Sequence, residues 1–370
     1  MSRILLAPGR YVQGAGAIDE VGLHASSLGD SVFAIGGKTA LSICSDRIEK
    51  SLKLKGLRYS CEQFGGVSSR KEIDRLSLLA ASHGANIIIA LGGGASIDAA
   101  KAVSHERNLP VIVIPTTVAT DGPGSALSVV YTDEGVFESY LYLRRNPDCV
   151  LVDTEIIANA PVKFLVAGMG DAVAGFWEGG TCARSGKVNA FSGGEVPTLV
   201  VQALAKLSYE TLLECGLQAK IAVEKKRVTP AVEAIVEANT LISGLCSENA
   251  GHAAAHSIHN GLTSLPATRQ KLHGEKVAFG LLAQLVLEGR LARDIREVQT
   301  FCFEVGLPIC LADLNLPEPT IEEIRQVAET AVAAGETIHM SWFTVTAEMV
   351  EAAIWTADAL GSKYKREHSC

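Results

Sequence analysis

The run "NIIIALGGGASIDAAKAVSHERNLPVIVIPTT" at residues 86–117 decides the predicted fold. It begins with a continuous apolar segment that ends in three glycines, continues through a helical segment at 96–108, and closes with a second apolar segment at 110–117. Short apolar runs rich in β-branched residues predict buried strands. A helix between two such strands is typical of a parallel sheet with helices on both faces. The run therefore predicts an α/β domain.

The flanking segments continue this alternation as far as about residue 160. "SVFAIGG" at 31–37 and "CVLVDTEII" at 149–157 predict further strands, whereas "ALSVVYTDEGVFESYLYL" at 126–143 predicts a β-hairpin. From Pro161 onward, apolar residues recur at helical spacing in 196–215, 230–246, 274–289, 321–334 and 346–360. The sequence thus predicts an α/β domain at 1–160 and a helical domain at 161–370, and the polar tail "GSKYKREHSC" predicts a frayed end.

Composition and charge narrow the class of partner. The chain has 370 residues, a formal net charge of −8 and a hydrophobic fraction of 48%, and its pI is about 5.7. An acidic chain argues against nucleic acid or an anionic membrane as the main partner. The apolar runs are too short for a membrane helix or a secretory signal. The nine cysteines form no C-x-x-C pair and predict reduced thiols in a cytoplasmic protein.

Two polar loops that follow strands are candidates for nucleotide binding. Gly92, Gly93 and Gly94 lie between a strand and a helix that begins near Ser96. Glycines allow close approach of a ligand, and a helix N-terminus offers N–H groups to a pyrophosphate; the alternative is a tight turn without a ligand. The second loop, "IPTTVATDGPGSAL" at 114–127, carries Thr116, Thr117 and Asp121, which fit either ligand contacts or capping.

Histidines are concentrated at residues 248–276. In "AGHAAAHSIHNGL", a predicted helix at about 100° per residue places His252, His256 and His259 within roughly 60° of each other. "GLTSLP" ends this helix, and His273 heads the next one. Histidines from neighbouring helices can bind one divalent metal, although a structural role is the commoner one for each residue alone. Asp171, in "GMGDAVAGFWEG" at a predicted helix start, is either a cap or a third ligand.

Several motifs in order resemble a known family. "GGGASIDAAK", "PTTVATDGPGSALSVVYTDEG", "GMGDAVAGFWEG", "EANTLISGL", "AAAHSIHNGLTSLP", "HGEKVAFG" and "GETIH" are similar to the glycerol dehydrogenases, the zinc-dependent branch of the iron-containing (group III) alcohol dehydrogenase superfamily. The resemblance implies an N-terminal Rossmann-like parallel-sheet α/β domain that binds a dinucleotide. It further implies an all-α C-terminal domain that binds metal and substrate, a dehydroquinate synthase-like arrangement with the site in the cleft between the domains. It also implies NAD as cofactor and a homo-oligomer, commonly an octamer.

The resemblance assigns roles to individual residues. Asp171, His256 and His273 match the metal ligands, and Asp121 matches a residue beside the bound polyol. His259 matches a histidine that is not a ligand, and His252 is expected to line the pocket. The positions that the resemblance implies around the cofactor are Gly93, Gly94, Asp98, Thr116, Thr117, Ser125, Leu127 and Tyr131, and the glycine loop adds Gly92 and Ser96 as cofactor-binding candidates.

Departures from the family pattern bear on specificity. The strand at 31–37 ends in Gly36, Gly37 and Lys38 instead of a carboxylate, which leaves NADP open beside NAD. Ser247 stands where relatives carry an aromatic residue, and His252 stands where they carry Leu. Met340, Trp342 and Phe343 replace small residues. We expect these changes to reshape the substrate pocket.

The predicted reaction is reversible oxidation of glycerol or another vicinal diol to the hydroxyketone. Zn²⁺ or another divalent metal would lower the pKa of the alcohol, and NAD would accept the hydride. One alternative is an NAD- and metal-dependent lyase or cyclase like dehydroquinate synthase, which needs a basic pocket; Arg269, Lys271 and Lys276 are available for one. A second alternative is a non-catalytic nucleotide-binding scaffold.

Overall fold

The computed structural model describes residues 2–368, and the chain within that range forms two compact units. The first unit comprises residues 6–162 and 222–244, and the second comprises residues 163–221 and 245–368 together with the N-terminal residues up to 5. The predicted α/β region followed by a helical region is confirmed. The functional division into 1–160 and 161–370 stays a prediction, and the structure adds residues 222–244 to the α/β unit.

The first unit is built on a parallel sheet. Within the described residues the sheet has six strands in the order β1-β8-β5-β4-β2-β3, all neighbours are parallel, and β6 and β7 form a separate antiparallel pair. The strands are β1 (Tyr11–Gly14), β2 (Ser31–Gly36), β3 (Arg58–Gln63), β4 (Ile87–Gly92), β5 (Val111–Pro115), β6 (Leu127–Tyr131), β7 (Phe137–Tyr142) and β8 (Cys149–Asp153). The predicted hairpin at 126–143 is therefore confirmed.

The apolar strands lie at the centre of this unit because helices cover them. Every residue of β2, β4, β5 and β8 is buried, as expected for a parallel sheet with two covered faces. The helices of this unit are α1 (Val21–Ala25), α2 (Lys38–Lys53), α3 (Arg70–Ser82), α4 (Gly94–Arg107), α5 (Thr154–Asn159) and α8 (Pro230–Glu237), and a π-helical turn follows α8 at Ala238–Ile242. Hydrogen bonds from Gln13 and Thr154 to Glu233 bind α8 to the sheet.

The second unit has helices and no strands among its described residues. Its helices are α6 (Val162–Ser185), α7 (Leu199–Glu224), α9 (Ser243–Ala250), α10 (Ala254–Thr263), α11 (His273–Leu287), α12 (Ala292–Val305), α13 (Ile321–Ala331) and α14 (Ala347–His368). The last helix shows that the predicted frayed tail is wrong as far as His368, because Tyr364 is buried and its hydroxyl donates to Thr300. None of the helices in residues 2–368 has both the length and the apolar character that a bilayer span requires.

The histidine-rich segment is not one continuous helix. It is helical to Ala250 in α9 and again from Ala254 in α10, and residues 251–253 between them are not helical. Gly251 has φ +89°, which a residue with a side chain rarely adopts. The prediction of a single face carrying His252, His256 and His259 is therefore wrong for His252, which lies in the break.

Candidate metal centre

The structure brings together the three residues expected to bind metal. Asp171 lies within α6, His256 lies on α10, and His273 is the first residue of α11. Asp171 Oδ1 is 3.1 Å from His273 Nε2 and 3.3 Å from His256 Nε2. Asp171 was expected at a helix start, and this was wrong, because α6 begins nine residues earlier at Val162. A buried carboxylate inside a helix is not a cap, and a ligand role for Asp171 stays a prediction.

The spacing of these three atoms fits a divalent ion. Ligands at about 2.0–2.2 Å in a tetrahedral site lie about 3.3–3.6 Å from one another, close to the 3.3 and 3.1 Å that separate Asp171 Oδ1 from the two imidazole nitrogens. Two imidazoles and one carboxylate are also a ligand set that zinc accepts, and they leave a fourth position for a substrate oxygen. The residues present therefore fit the implied metal.

Two glycines allow the helices to meet at this point. A Cβ on Gly170 would lie 2.3 Å from the carbonyl oxygen of Gly274, and a Cβ on Gly274 would lie 1.7 Å from the carbonyl oxygen of Ala167. Both distances are far below contact, so only glycine fits at either position. Because Gly170 precedes Asp171 and Gly274 follows His273, this backbone contact places the carboxylate beside the imidazole.

Glu178 orients His256. Its carboxylate is 0% exposed, accepts a 2.6 Å hydrogen bond from His256 Nδ1–H, and also accepts from the backbone N–H of Ala253. A proton held on Nδ1 leaves Nε2, which faces Asp171, as the nitrogen that a metal would take. The sequence analysis missed Glu178. The available signal was its position seven residues after Asp171, which is two helical turns along the same face of α6.

His273 is oriented through a second chain of hydrogen bonds. His259 Nδ1–H donates to Asn260 Oδ1 over 3.0 Å, which leaves His259 Nε2 to accept from His273 Nδ1–H over 2.9 Å. Asn260 in turn donates to Glu336 over 2.9 Å. His273 Nε2 therefore also faces Asp171, and His259 orients the His273 ring.

The electrostatics of the cluster favour a positive charge within it. Burial raises the pKa of the Asp171 carboxyl, but His273 and His256 together outweigh burial and hold the pKa well below its usual range. Burial lowers the pKa of His256, but Glu178 and Asp171 outweigh it and raise the pKa well above the usual value. Burial and the neighbouring His273 lower the pKa of His259, which keeps that ring neutral. Two carboxylates thus flank the His256 ring, and a metal ion beside Asp171 would supply balancing positive charge.

His252 lies beside the cluster without joining it. Its ring stacks on His256 with centroids 3.6 Å apart, and its Nε2 is 2.8 Å from Ser247 Oγ. Glu178, His252 and His256 also approach closely enough to suggest a second ion site. However, the 2.6 Å separation between Glu178 Oε2 and His256 Nδ1 is a hydrogen-bond length, shorter than the spacing of about 3.3–3.6 Å between two ligands of one tetrahedral ion. The Asp171 cluster is the candidate metal centre.

The glycine loop and the threonine loop meet at the carboxyl ends of neighbouring strands in the first unit. Gly92 ends β4 with φ +128°, α4 begins at Gly94, and the backbone N–H of Thr116 donates to Gly92 O over 2.9 Å. The Ser96 hydroxyl donates to the carbonyls of Leu91 and Gly93, so its visible role is to hold this turn. Contacts of these residues with a cofactor stay predictions.

A buried lysine fixes the backbone at 122–127, which includes residues expected to contact the cofactor. Lys101 is 1% exposed, and its ammonium donates to the carbonyls of Gly122, Ser125 and Leu127. Asp98 lies 3.6 Å from it, and burial raises the pKa of the Asp98 carboxyl. Tyr131 ends β6. The sequence analysis missed Lys101. The available signal was its position three residues after Asp98 on the same helix, which allows the two side chains to pair.

Asp121 lies in the loop after β5. Residues of the segment 222–244, which belongs to the same unit, contact it. The Ser243 hydroxyl donates to Asp121 Oδ2 over 3.4 Å, and a Cβ on Gly244 would lie 2.9 Å from Asp121 O. Asn239, in the π-helical turn, donates to the carbonyl of Val118 in the same loop. A catalytic role for Asp121 stays a prediction, and these contacts show how its loop is fixed.

Aromatic residues lie in and beside the C-terminal half of α6, which carries Trp177 and Arg184. Trp177 is buried and packs edge-on against Phe176 and Tyr209, which makes it a core residue. Arg184 lies over the Trp342 ring at 3.9 Å. Phe343 contacts Trp342, and Met340 ends a short 3-10 turn. An effect of these residues on the substrate pocket stays a prediction.

The described cysteines carry no disulfide. Eight of the nine are free, and Cys370 lies outside the described residues. Cys246 is buried in α9 and belongs to neither group of converging ligand atoms found among residues 2–368.

An α/β unit accompanied by a helical unit with a carboxylate–imidazole cluster fits the class of metal-dependent oxidoreductases. Comparison with known proteins agrees. The family model described as iron-containing alcohol dehydrogenase matches residues 8–154. A glycerol dehydrogenase from Escherichia coli O6:H1 is 45% identical over 99% of this chain and 100% of its own. A glycolaldehyde reductase from Halobacterium salinarum is 42% identical over 99% of this chain and 100% of its own.

A solved structure extends the likeness to the whole fold. The crystal structure of glycerol dehydrogenase from Schizosaccharomyces pombe has a TM-score of 0.94 and 36% identity, covering 99% of this chain and 93% of its own. The chain belongs to the glycerol dehydrogenase family of iron-containing alcohol dehydrogenases.

Proposed function

We propose that this protein catalyses the NAD-dependent oxidation of glycerol, or of a related vicinal diol, to the hydroxyketone, assisted by a bound divalent metal. The observation that carries the proposal is the convergence of Asp171 Oδ1 with His256 Nε2 and His273 Nε2 at 3.3 and 3.1 Å. The relatives that are named glycerol dehydrogenases support the choice of substrate. In the balanced reaction, the diol and NAD⁺ give the hydroxyketone, NADH and one proton.

The proposed division of labour follows from the contacts. Asp171, His256 and His273 hold a divalent metal, with zinc as the proposed ion, whose chemistry when bound is to lower the pKa of an alcohol oxygen. Glu178 keeps the proton on His256 Nδ1, and His259 keeps the proton on His273 Nδ1. Asp171 stays ionised because its pKa is held low.

NAD binding is proposed for the loops after β4 and β5. The order of strands in the sheet changes direction at β2, because β3 lies on one side of β2 and β4 lies on the other. Ligands of open α/β sheets bind beside such a point, beyond the carboxyl ends of the strands. Gly93 and Gly94 stand at the N-terminus of α4, a favourable place for a pyrophosphate. Gly36 ends β2 and Gly37 follows it, so no carboxylate at these two positions would repel the 2′-phosphate of NADP.

The site also supports the reverse reaction on a hydroxyaldehyde. The 42% identical glycolaldehyde reductase makes reduction of a two-carbon hydroxyaldehyde a second candidate activity.

The lyase alternative needs a basic pocket at 269–276. There, Lys276 is buried and donates to Thr263, and Lys271 pairs with Glu275, which favours the dehydrogenase. The predicted cytoplasmic location and homo-oligomer, octameric by resemblance, stay predictions.

The test is net NADH formation with glycerol and 1,2-propanediol, repeated with NADP, and NADH consumption with glycolaldehyde. We expect turnover that a chelator removes and added zinc restores. Asp171→Asn should abolish it, whereas the matched Asp294→Asn on α12 should not. NAD binding without net NADH formation, in the metal-loaded protein, would contradict the proposal and favour a lyase or a scaffold.

A further inference from the structure

Ser247 and His252 form a polar pair beside the candidate metal centre that the proposed chemistry does not use. The two side chains are joined by the 2.8 Å contact between Ser247 Oγ and His252 Nε2. The His252 side chain is 14% exposed and the His256 side chain is 13% exposed, so both rings are partly accessible. Ser247 is also partly exposed at the end of α9.

The orientation of the two stacked rings places this pair next to the ligand cluster. His252 Nδ1 and His256 Nδ1 both face Glu178 Oε2, at 3.5 and 2.6 Å. The rings are 31° from parallel with centroids 3.6 Å apart. Their Nε2 edges therefore both point away from Glu178. The His256 edge meets Asp171, and the His252 edge meets Ser247.

The carboxylate of Glu178 decides which atoms of the pair carry hydrogen. A carboxylate repels a nitrogen lone pair and attracts an N–H, so His252 carries its proton on Nδ1. His252 Nε2 is then an acceptor, and the Ser247 hydroxyl donates to it. With its only hydrogen used in this way, Ser247 Oγ offers lone pairs to a ligand.

We propose that Ser247 is a specificity-determining residue that accepts a hydrogen bond from the third hydroxyl group of a triol, and that His252 is its positioning residue. This inference rests on the proposed function and names the substrate group that the site selects. A lone-pair acceptor favours a hydroxyl group, which can donate. It does not favour a methyl group, an ether oxygen or a carboxylate at the same position.

Three substrates that share a vicinal diol separate these possibilities. Glycerol carries a third hydroxyl, 1,2-propanediol carries a methyl group there, and 3-methoxy-1,2-propanediol carries an oxygen without a hydrogen. For the metal-loaded wild-type protein we expect kcat/KM for glycerol to exceed both others by about 3- to 10-fold, the effect of one hydrogen bond to an uncharged group.

Two variants test the assignment. Ser247→Ala should lower kcat/KM for glycerol by about 3- to 10-fold, chiefly through KM, and leave the other two substrates unchanged. His252→Leu should act in the same direction because the serine hydroxyl loses the acceptor that fixes it. Ser185→Ala, a serine at the end of α6 that donates to Cys182 O, is the matched control and should change no ratio.

Metal content is measured for each variant, so that loss of the ion is not read as lost selectivity. Equal losses for all three substrates in Ser247→Ala with the metal retained, or a wild-type protein that does not distinguish them, would overturn the inference while the proposed function stands. A wild-type protein that oxidises none of the three would overturn both.

Discussion

Glu178 is a fully buried carboxylate whose partners are His256, the backbone at Ala253, and the ring of His252. Burial raises its pKa, but His256 and His252 outweigh burial and lower the pKa, so the group is ionised in this environment. An ionised partner on Nδ1 makes the opposite nitrogen a better metal ligand. At the scale of single residues, we therefore expect Glu178 to affect metal affinity although it is not itself a proposed ligand.

Glu178→Gln should weaken metal binding by about 10- to 100-fold, because an amide retains the hydrogen-bond acceptor and loses the charge. The measurement is competition for zinc against a chelator of known affinity. Glu288→Gln is the matched control, since Glu288 is also buried and hydrogen-bonded, to Thr181 and Gln284, yet contacts no proposed ligand. Equal affinities in wild type and Glu178→Gln would contradict this role.

The residues of the site differ in how far the sequence could predict them. His256 and His273 stood out by their spacing, but Asp171 was assigned a ligand role by resemblance, since local spacing also fits a cap. Glu178 and Lys101 were missed because their importance depends on contacts with distant segments, at Ala253 and at Gly122. His252 was misplaced because the helical break requires the positive φ of Gly251, which an Ala-rich sequence does not reveal.

At the scale of elements, the approach of α6 to α11 sets the geometry of the metal centre. Gly274→Ala should lower the free energy of unfolding by about 1–3 kcal/mol or more, because its Cβ would overlap the carbonyl oxygen of Ala167. It should also reduce metal content by moving His273 from Asp171. Thermal unfolding and metal analysis measure both effects.

Gly180→Ala is the matched control for this overlap. Gly180 also lies in α6, but a Cβ there meets nothing within 4 Å. The substitution should raise stability by up to about 1 kcal/mol through helix propensity. If Gly274→Ala were as stable and as metal-rich as Gly180→Ala, the close packing of α6 and α11 would not be what positions the ligands.

The C-terminal helix α14 gives a prediction on pH. Lys365 donates to Asp313 Oδ1, and Ile309 N–H donates to Asp313 Oδ2. Burial raises the pKa of Asp313, but the bonds from Lys365 and Ile309 outweigh burial and lower it. A carboxyl group with a lowered pKa in the folded state stabilises the fold above its unfolded pKa. That stabilisation is lost as pH falls through the folded value.

Asp313→Asn should therefore unfold at lower urea concentration than wild type at pH 7. The difference should be constant down to about pH 5 and narrow below the unfolded pKa of about 4. Lys365→Met removes the other member of the pair and should show the same narrowing. If the difference in urea midpoint between wild type and Asp313→Asn became larger at acidic pH, the pKa of Asp313 would be raised and not lowered by folding, which would contradict this prediction.

Secondary-structure elements were predicted best where burial on both faces produces a continuous apolar run in the sequence. β2, β4 and β5 are continuous apolar runs, and the sheet followed from them. The start of α6 was misjudged because Gly168 and Gly170 favour a break locally, whereas close packing against α11 requires the glycine at 170 inside the helix. The helical pattern at 230–246 hid a π-helical turn at Ala238–Ile242, in which Asn239 donates to the carbonyl of Val118 in a distant loop.

At the scale of the whole molecule, the chain crosses between its two units more than once. Residues 222–244 return to the α/β unit after the helices of the second unit have begun. The contacts responsible, from Gln13 and Thr154 to Glu233, join residues far apart in sequence. A change of composition near residue 160 marks the end of the sheet but carries no signal of this return.

The central claim is that Asp171, His256 and His273 bind one divalent metal. Anomalous diffraction at the zinc absorption edge, from crystals of the zinc-loaded protein, tests it most directly. We expect one peak per chain at about 2.0–2.2 Å from Asp171 Oδ1, His256 Nε2 and His273 Nε2. A peak among Glu178, His252 and His256, or no peak at either place in a protein that turns over glycerol, would contradict it.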